Sequence, residues 1–269
     1  MKKIILIALL LGCGGAACAT FPSGNTVLIT GSNRGIGLGL AEQFAKLGWN
    51  VIATARDPDT ADELQDLASR HKNVAVEELD VTDFDQVDRL ADKYRDQPID
   101  ILLNNAAFTP PYSVSWLPFE EIDLENTRRS FDVNVIGPIK ITQAFLANVE
   151  ASGQKKIVNI SSGAASFNRG QPFGTGFNYI SSKAALNMFT YQLAAALKDR
   201  GIVVVCLHPG VVETNRPGNE PDALPEMARR IPSISVAESA TSIVKLVTGL
   251  TPEQSGKFLN YADGAVIPW

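Results

Sequence analysis

The stretch TGSNRGIG, residues 30–37, decides the fold, because it joins an apolar β-branched run at residues 26–30 to a helical pattern at residues 36–47. Its glycines allow a tight turn that brings backbone N–H groups close to a phosphate, and a helix N-terminus adds partial positive charge. The spacing is GxxxGxG rather than the GxGxxG of many dinucleotide-binding folds. The turn predicts a pyrophosphate site formed by Gly31, Ser32, Asn33, Arg34, Gly35, Ile36 and Gly37. A merely structural glycine turn is the alternative.

Apolar runs alternate with helical patterns along the rest of the chain. The predicted strands are residues 26–30, 51–55, 74–78, 99–103, 156–160, 202–207 and 257–261. The predicted helices are residues 36–47, 60–69, 85–94, 124–149 with a bend near Gly137, 179–197 and 239–248. Such alternation indicates βαβ units and a parallel sheet covered on both faces. We therefore predict an α/β fold, a Rossmann-type doubly wound sheet in one domain over residues 25–269.

The composition limits the classes of function. The chain has 269 residues, is 45% hydrophobic and carries a formal net charge of −5, which fits a globular protein and disfavours a nucleic-acid-binding surface. Its two histidines and three cysteines lack the spacing of metal ligands, so no metal site is predicted. Cys206 lies in an apolar run, which predicts a buried, inert thiol.

The end of the second predicted strand bears on the type of dinucleotide. Enzymes specific for NAD usually place Asp or Glu there, to accept hydrogen bonds from the free 2′-hydroxyl of the ribose. Here Ala55 takes that position, Arg56 follows, and Arg34 lies in the glycine-rich turn. Because guanidinium groups bind phosphate bidentately, the sequence favours NADP(H) over NAD(H). Asp57 would weaken this prediction if the register were shifted by two residues.

Further motifs follow the turn in a fixed order. They are LDVT at residues 79–82, NNAA at 104–107, Asn134, IVNISS at 157–162, Tyr179 with Lys183, and PGVVET at 209–214. With them, residues 25–269 resemble a short-chain dehydrogenase/reductase of the single-domain type. The amino-acid sequence at residues 33–40, 54–58 and 263–269 is similar to that of C-factor-like and sniffer-like carbonyl reductases, one branch of this family.

The resemblance implies hydride transfer between NADP(H) and a small-molecule carbonyl or alcohol. It implies that Asp80 bonds the adenine amino group and that Asn104 borders the adenine ribose with Ala106 close by. It also implies that the nicotinamide carboxamide is held by Pro209, Gly210, Val212 and Thr214. The cofactor residues that it adds are Asp80, Val81, Asn104, Ala106, Tyr179, Lys183, Pro209, Gly210, Val212 and Thr214. For Asp80 alone, a helix N-cap is the alternative.

Tyr179 and Lys183 are four residues apart and share one face of a predicted helix. A phenol in water has a pKa of about 10. A neighbouring ammonium and an oxidised nicotinamide would favour the phenolate and lower that pKa. Tyr179 is therefore the predicted proton donor in reduction and the base in oxidation. The resemblance further implies that Lys183 bonds the nicotinamide ribose.

Two more residues complete the predicted catalytic group. Ser162 is expected to polarise the substrate oxygen, because the family's serine is the second of such a pair; Ser161 is the alternative. Asn134 is expected to hold a water that links Lys183 to solvent. Alternatively, the Asn134 side chain forms hydrogen bonds with the backbone groups that a helix kink near Gly137 leaves without partners.

Two irregular segments are candidates for shaping the substrate pocket. Residues 166–177 are longer than the family usually has, and Phe167, Phe173 and Phe177 could line a substrate rim or pack on the core. Residues 214–235 carry four prolines, Pro217, Pro221, Pro225 and Pro232, and form either a lid or an ordinary surface excursion.

Residues 1–20 have the pattern of a secretory signal: a basic start, an apolar run at residues 4–11 and a small-residue region. The run is too short to span a bilayer comfortably. LLGC at residues 10–13 resembles a lipobox, which would place a lipid on Cys13, and Ala17-Cys18-Ala19 is another candidate cleavage site. These features predict an exported or membrane-anchored protein. A mis-assigned start or an uncleaved extension before a cytoplasmic enzyme is the alternative, and it agrees better with the supply of NADPH.

A second function competes with the enzyme. The C-factor resemblance and the export pattern both favour a cofactor-binding signalling or interaction protein with little turnover. The complete set of Asn134, Ser162, Tyr179 and Lys183 favours the enzyme. A serine hydrolase is disfavoured because GxSxG is absent from the sequence. Pairing of copies through the long helices near Asn134 and Tyr179, hence a homo-oligomer, is implied by the resemblance.

Overall fold

The computed structural model describes residues 21, 23–168, 174–214 and 232–269. These residues form one sheet of seven parallel strands in the order β3-β2-β1-β4-β5-β6-β7. The strands are β1 Thr26–Ile29, β2 Asn50–Ala55, β3 Val74–Glu78, β4 Ile101–Asn104, β5 Lys156–Ile160, β6 Val203–His208 and β7 Phe258–Asn260. The predicted Rossmann-type α/β fold is thus confirmed.

Eight α-helices are formed by the described residues. They are α1 Gly35–Lys46, α2 Asp62–Arg70, α3 Phe84–Lys93, α4 Tyr112–Ser115, α5 Leu124–Phe131, α6 Gly137–Glu150, α7 Phe177–Leu197 and α8 Val236–Thr248. The long helical stretch predicted over residues 124–149 is confirmed, and the structure adds that a π-helical turn, Asp132–Ile136, separates α5 from α6 directly before Gly137. The start of α8 was predicted too late: Ser235 caps the helix by accepting a hydrogen bond from the Glu238 N–H at 3.1 Å.

Two apolar layers cover the sheet. Along β1, Val27 and Ile29 face the layer that contains α1 and α8, and Leu28 faces the layer that contains α3, α6 and α7. All four residues of β1 are buried. A strand buried on both faces has no polar side, which is why these strands lack an alternating apolar pattern.

The strand order reverses beside β1, because β2 lies on one side of it and β4 on the other. In open parallel sheets, ligands bind at such a switch point, beyond the carboxyl ends of the strands. The fold therefore locates the candidate site before any side chain is considered.

Several predictions fall outside the described residues. Residues 1–20, with Cys13 and both candidate cleavage sites, lie there, so export and lipidation stay predictions. So do residues 169–173 of the proposed rim and residues 215–231 of the proposed lid. Within the described ranges, no helix is long and apolar enough to cross a membrane.

The predicted burial of the Cys206 thiol is confirmed. Cys206 is completely buried in β6, and its thiol lies 3.0 Å from Thr190 Oγ1. Burial raises the pKa of this thiol to about 12, because the thiolate cannot be solvated there.

Candidate active site

A cavity of about 750 Å³ lies over the switch point and is lined by the segments that follow strands β1 to β6. Its lining includes these predicted site residues: Gly31, Asn33, Arg34, Gly35, Ile36, Gly37, Arg56, Asp80, Val81, Ala106, Tyr179, Lys183, Pro209 and Thr214. Six other predicted site residues do not line it: Ser32, Asn104, Asn134, Ser162, Gly210 and Val212. The structure thus brings most of the predicted residues to one cavity and gives the others different positions.

The glycine-rich turn approaches neighbouring backbone too closely for larger residues. A Cβ on Gly37 would lie 2.1 Å from the Gly31 carbonyl oxygen, and a Cβ on Gly31 would lie 2.9 Å from Ala106 Cα. Gly35 has a φ of +56°, which favours glycine. The turn can therefore keep its backbone N–H groups at the cavity only with glycine at these positions.

Hydrogen bonds join the glycine-rich turn to the loop after β4. The Thr30 hydroxyl accepts from the N–H groups of Asn105 and Ala106, each at 3.0 Å. In return, the Asn105 amide donates to the carbonyl oxygens of Thr30 at 2.9 Å and Gly31 at 3.0 Å. The two loops therefore form one rigid wall of the cavity.

Ser32 does not line the cavity and instead supports the turn from below; its predicted cofactor contact stays a prediction. Its side chain is buried and donates to the Ile29 carbonyl oxygen at 3.0 Å. Its backbone N–H donates to the Thr54 carbonyl oxygen at 2.7 Å. These bonds connect the turn to β1 and β2.

Two guanidinium groups reach the cavity where β2 ends. Arg34 and Arg56 are both exposed, and neither guanidinium group forms a hydrogen bond or salt bridge with the residues that the structure describes. Ala55 is buried, and the exposed Asp57 also lines the cavity. This end of the cavity therefore carries two positive side chains and one carboxylate that could face a ligand.

The loop after β3 presents one carboxylate. Asp80 Oδ1 accepts from the Thr82 N–H at 2.9 Å and from its hydroxyl at 2.7 Å, and Asp80 lines the cavity. The N-cap of α3 is Asp83, which accepts from the Gln86 N–H, so the alternative role of Asp80 as a cap is wrong. The Gln86 side chain in turn accepts from the Asp80 N–H and holds the loop.

Asn104 does not line the cavity, and its predicted position beside the adenine ribose stays a prediction. It is the last residue of β4, and alternation puts it on the same face as Leu102, beneath α6 and α7. There its amide donates to Asn159 Oδ1 at 2.8 Å and to Thr142 Oγ1 at 3.3 Å. The next residue, Asn105, lines the cavity instead.

Tyr179 and Lys183 lie in the first two turns of α7 and line the cavity together. Lys183 is buried, its Nζ donates to the Ile160 carbonyl oxygen at 2.8 Å, and the same atom lies 5.9 Å from the centroid of the Tyr179 ring. The half-buried phenol therefore faces the cavity with a fixed ammonium group beside it.

The two serines after β5 point in different directions. Ser161 is buried, and its hydroxyl donates to Asn187 Oδ1 of α7 at 2.6 Å. Ser162 is half-buried; its Oγ accepts from the Ala164 N–H at 3.3 Å, and its hydroxyl hydrogen has no partner among the described residues. Ser161 lines the cavity but its hydroxyl hydrogen is already used, whereas Ser162 lies next to the lining residues and keeps a hydroxyl hydrogen that could be donated to a ligand.

Asn134 lies in the π-helical turn and is completely buried. Its amide group donates to the Phe108 carbonyl oxygen and to Ser182 Oγ, both at 2.9 Å, and its oxygen accepts from the Phe108 N–H at 2.7 Å. The Ser182 hydroxyl donates to the Tyr179 carbonyl oxygen at 2.7 Å. Both amide hydrogens of Asn134 are thus used by protein groups, and this side chain connects the loop after β4 to the turn of α7 that carries Tyr179.

The segment after β6 is fixed at both ends. Gly210 has a φ of +89°, and a Cβ there would lie 2.7 Å from Ile234 Cδ1. Val212 pairs with Ile234 in an isolated bridge. Thr214 approaches the glycine-rich turn: its Cγ2 lies 3.2 Å from the position of a Cβ on Gly35. Gly210 and Val212 therefore shape this segment without lining the cavity.

Comparison with known proteins identifies the family. A family model described as short chain dehydrogenase matches residues 25–224. The chain belongs to the short-chain dehydrogenase family.

Individual members of this family extend the comparison. An uncharacterized oxidoreductase of Schizosaccharomyces pombe is 37% identical over 91% of this chain and 98% of that protein. NADPH-bound carbonyl reductase from chicken fatty liver has 33% identity and a TM-score of 0.79, and the carbonyl reductase Sniffer of D. melanogaster has 30% identity and the same TM-score. Each alignment covers 91% of this chain and 99% of the other. C-signal of Myxococcus xanthus is 31% identical over 64% of this chain and 93% of its own. The predicted resemblance is confirmed.

Some cavity residues were not predicted from the sequence. Asn105, Phe84, Phe108 and Arg129 line the cavity, and the Arg129 guanidinium lies 4.3 Å from the centroid of the Phe108 ring. Asn105 stood in a recognised motif and could have been found there. Phe84 and Arg129 lie in helices with no motif to mark them, and Phe108 follows the motif at residues 104–107 in the loop after β4. Phe167 and Phe177, predicted for the rim, do not line the cavity; Phe177 instead packs edge-on against Phe119 at 5.9 Å.

Proposed function

We propose that the protein is an NADP(H)-dependent carbonyl reductase, which also oxidises the corresponding alcohols. One observation carries the proposal: a single cavity has the glycine-rich turn and two guanidinium groups at one end and Tyr179 with Lys183 at the other. The solved relative from chicken fatty liver binds NADPH and is a carbonyl reductase, which supports both the cofactor and the reaction.

The residues present fit a phosphorylated dinucleotide. The volume of about 750 Å³ suits a ligand of that size, and the glycines leave space for phosphate at the N-terminus of α1. Arg34 and Arg56 have no carboxylate partner within the described ranges, so a 2′-phosphate could pair with them. Asp80 has one carboxylate oxygen left for an adenine amino group.

The roles of the catalytic residues follow from their contacts. When bound, NADPH supplies the hydride that reaches the carbonyl carbon. Tyr179 donates its phenolic proton to the carbonyl oxygen, so the substrate leaves as a neutral alcohol. Lys183 stabilises the phenolate that remains, because its ammonium group is held close by the Ile160 carbonyl oxygen. Ser162 donates its hydroxyl hydrogen to the same substrate oxygen and polarises the carbonyl.

A reductase assay tests the proposal. The purified protein is titrated with NADPH and NADH by fluorescence, and NADPH oxidation is then followed with a panel of aldehydes, ketones and quinones. We expect tighter binding of NADPH and its oxidation by at least one member of the panel. NADPH binding without oxidation by any of them would instead favour a cofactor-binding signalling protein, which the similarity to C-signal also supports. Absence of NADPH binding would contradict both functions.

A further inference from the structure

Strands β5 and β6 stop pairing next to the candidate catalytic serine. Their register ends at Ile160 opposite Leu207, and the last backbone bond between them runs from the Ser161 N–H to the Leu207 carbonyl oxygen at 2.8 Å. In a parallel ladder, the next donor on this side would be the Gly163 N–H and its acceptor would be the Pro209 carbonyl oxygen. That bond is not formed.

A side chain replaces the missing bond. The Pro209 carbonyl oxygen accepts from the Ser239 hydroxyl at 2.6 Å, and Pro209 has no N–H to donate to β5. The Gly163 N–H instead donates to His208 Nδ1 at 3.0 Å. His208 is 9% exposed and is the last residue of β6, and its own carbonyl oxygen accepts from the Tyr261 N–H at 3.0 Å. The imidazole therefore extends from a fixed backbone.

The hydrogen bond from the Gly163 N–H to His208 Nδ1 fixes the peptide that follows Ser162. Ser162 is extended, with φ of −143° and ψ of 139°, and a short 3₁₀ turn, Gly163–Ala165, follows it. Because the imidazole fixes the Gly163 N–H, it fixes the orientation in which the chain leaves Ser162. The same histidine directly precedes Pro209, which lines the cavity.

We propose that His208 is a positioning residue for Ser162: its Nδ1 fixes the Gly163 N–H, so that the serine hydroxyl keeps its place relative to the segment that begins at Pro209. The inference rests on the proposed role of Ser162. A neutral imidazole that accepts at Nδ1 carries its proton on Nε2, so the bond requires the uncharged ring in that tautomer. Displacement of a polarising donor slows the chemical step more than it weakens cofactor binding.

A matched pair of variants isolates the hydrogen bond. In His208→Asn, Oδ1 is as many bonds from Cα as Nδ1 is in histidine, so an acceptor remains. In His208→Leu, a methyl group takes that place and the acceptor is lost. NADPH affinity, kcat and KM for a carbonyl substrate found by the panel are measured for both, and also for Ser162→Ala and the double variant Ser162→Ala with His208→Leu. If the Leu variant does not fold, His208→Ala replaces it throughout.

We expect His208→Leu to lower kcat by roughly tenfold to a hundredfold with little change in NADPH affinity. His208→Asn keeps the acceptor, so its kcat should stay close to that of the unsubstituted protein. When Ser162→Ala is already present, His208→Leu should lower kcat little further, because both changes disable the same hydroxyl group.

Three results would overturn the inference alone while Ser162→Ala still loses turnover. They are unchanged kcat in His208→Leu, equal losses in the Asn and Leu variants, and a full additional loss in the double variant. Unchanged turnover in Ser162→Ala would overturn the proposed role of Ser162 and this inference with it.

Discussion

At the scale of single residues, we propose that the charge of two arginines favours NADP(H) over NAD(H). Arg34 and Arg56 face the cavity without a carboxylate partner among the described residues, whereas several other exposed arginines are paired; Arg200, for example, forms a salt bridge to Glu150, with Nη2 2.5 Å from Oε2. An unpaired guanidinium at the end of β2 suits a phosphate on the ribose better than a free hydroxyl. Asp57 beside them limits how strongly the site prefers phosphate.

Arg56→Ala should weaken NADPH binding and leave NADH binding nearly unchanged. A hydrogen bond to a charged group is worth about 1.5–3 kcal/mol, so the dissociation constant for NADPH should rise roughly tenfold to a hundredfold. Fluorescence titration with both nucleotides measures the effect. Arg200→Ala, on a surface remote from the cavity, is the matched control and should change neither affinity. Equal weakening of NADPH and NADH by Arg56→Ala would contradict the assignment of the 2′-phosphate.

The buried thiol gives a prediction about pH. In the unfolded chain, a cysteine has a pKa of about 8.5, whereas in the folded protein burial raises the pKa of Cys206 to about 12. The unfolded state therefore loses this proton first. The contribution of Cys206 to the free energy of unfolding is complete below about pH 8.5 and falls as the pH rises towards 12.

Alkylation followed by peptide mass mapping tests this directly. At pH 8 the Cys206 peptide should stay unmodified in the folded protein and become alkylated in denaturant, because the reactive thiolate is absent from the core. Rapid modification of Cys206 in the folded protein at that pH would show that β6 is accessible and that the assigned burial is wrong.

At the scale of elements, the π-helical turn between α5 and α6 places Asn134 between two other elements. Its amide bonds the loop after β4 through Phe108 and the first turns of α7 through Ser182. The Ser182 hydroxyl in turn donates a hydrogen bond to the Tyr179 carbonyl oxygen. The turn thus holds the helix that carries the phenol against the loop that lines the cavity.

Ser182→Ala should lower turnover more than it lowers NADPH affinity. The change leaves one amide hydrogen of Asn134 without an acceptor in the core, and an unsatisfied buried group costs about 1–3 kcal/mol. The free energy of unfolding should fall by a similar amount. Ser181→Ala is the matched control, because Ser181 is the exposed neighbour on the same helix. Identical kinetics for both variants would refute a positioning role for Ser182.

At the scale of the whole molecule, the sequence was sufficient to predict the sheet and the position of the cavity. Apolar runs alternate with helical patterns, and parallel strands bring the ends of β1, β4, β5 and β6 to one edge, so the motifs after them had to meet. The hydrogen bonds of Asn104 beneath α6 could not be predicted, because β4 is buried on both faces and its sequence alone does not show which face each residue takes.

Contacts between distant segments could not be predicted. Asn134 bonds Ser182 across 48 residues, and His208 accepts from Gly163 across 45 residues. No local spacing encodes such pairs, because they depend on how the loops are arranged after the strands have paired. The Gly137-Pro138 pair did indicate a bend, but not that the turn before it is π-helical or that it fixes Tyr179.

The central claim is that Tyr179 transfers the proton at a cavity that also holds NADPH. Tyr179→Phe keeps the ring and removes only the hydroxyl, and Tyr191→Phe, at an exposed position on the same helix, is its control. NADPH affinity and turnover are measured for both variants with a carbonyl substrate from the panel. Tyr179→Phe should bind NADPH as the unsubstituted protein does and lose about 10²- to 10⁴-fold in kcat, while Tyr191→Phe should change neither. Turnover retained in Tyr179→Phe would contradict the account.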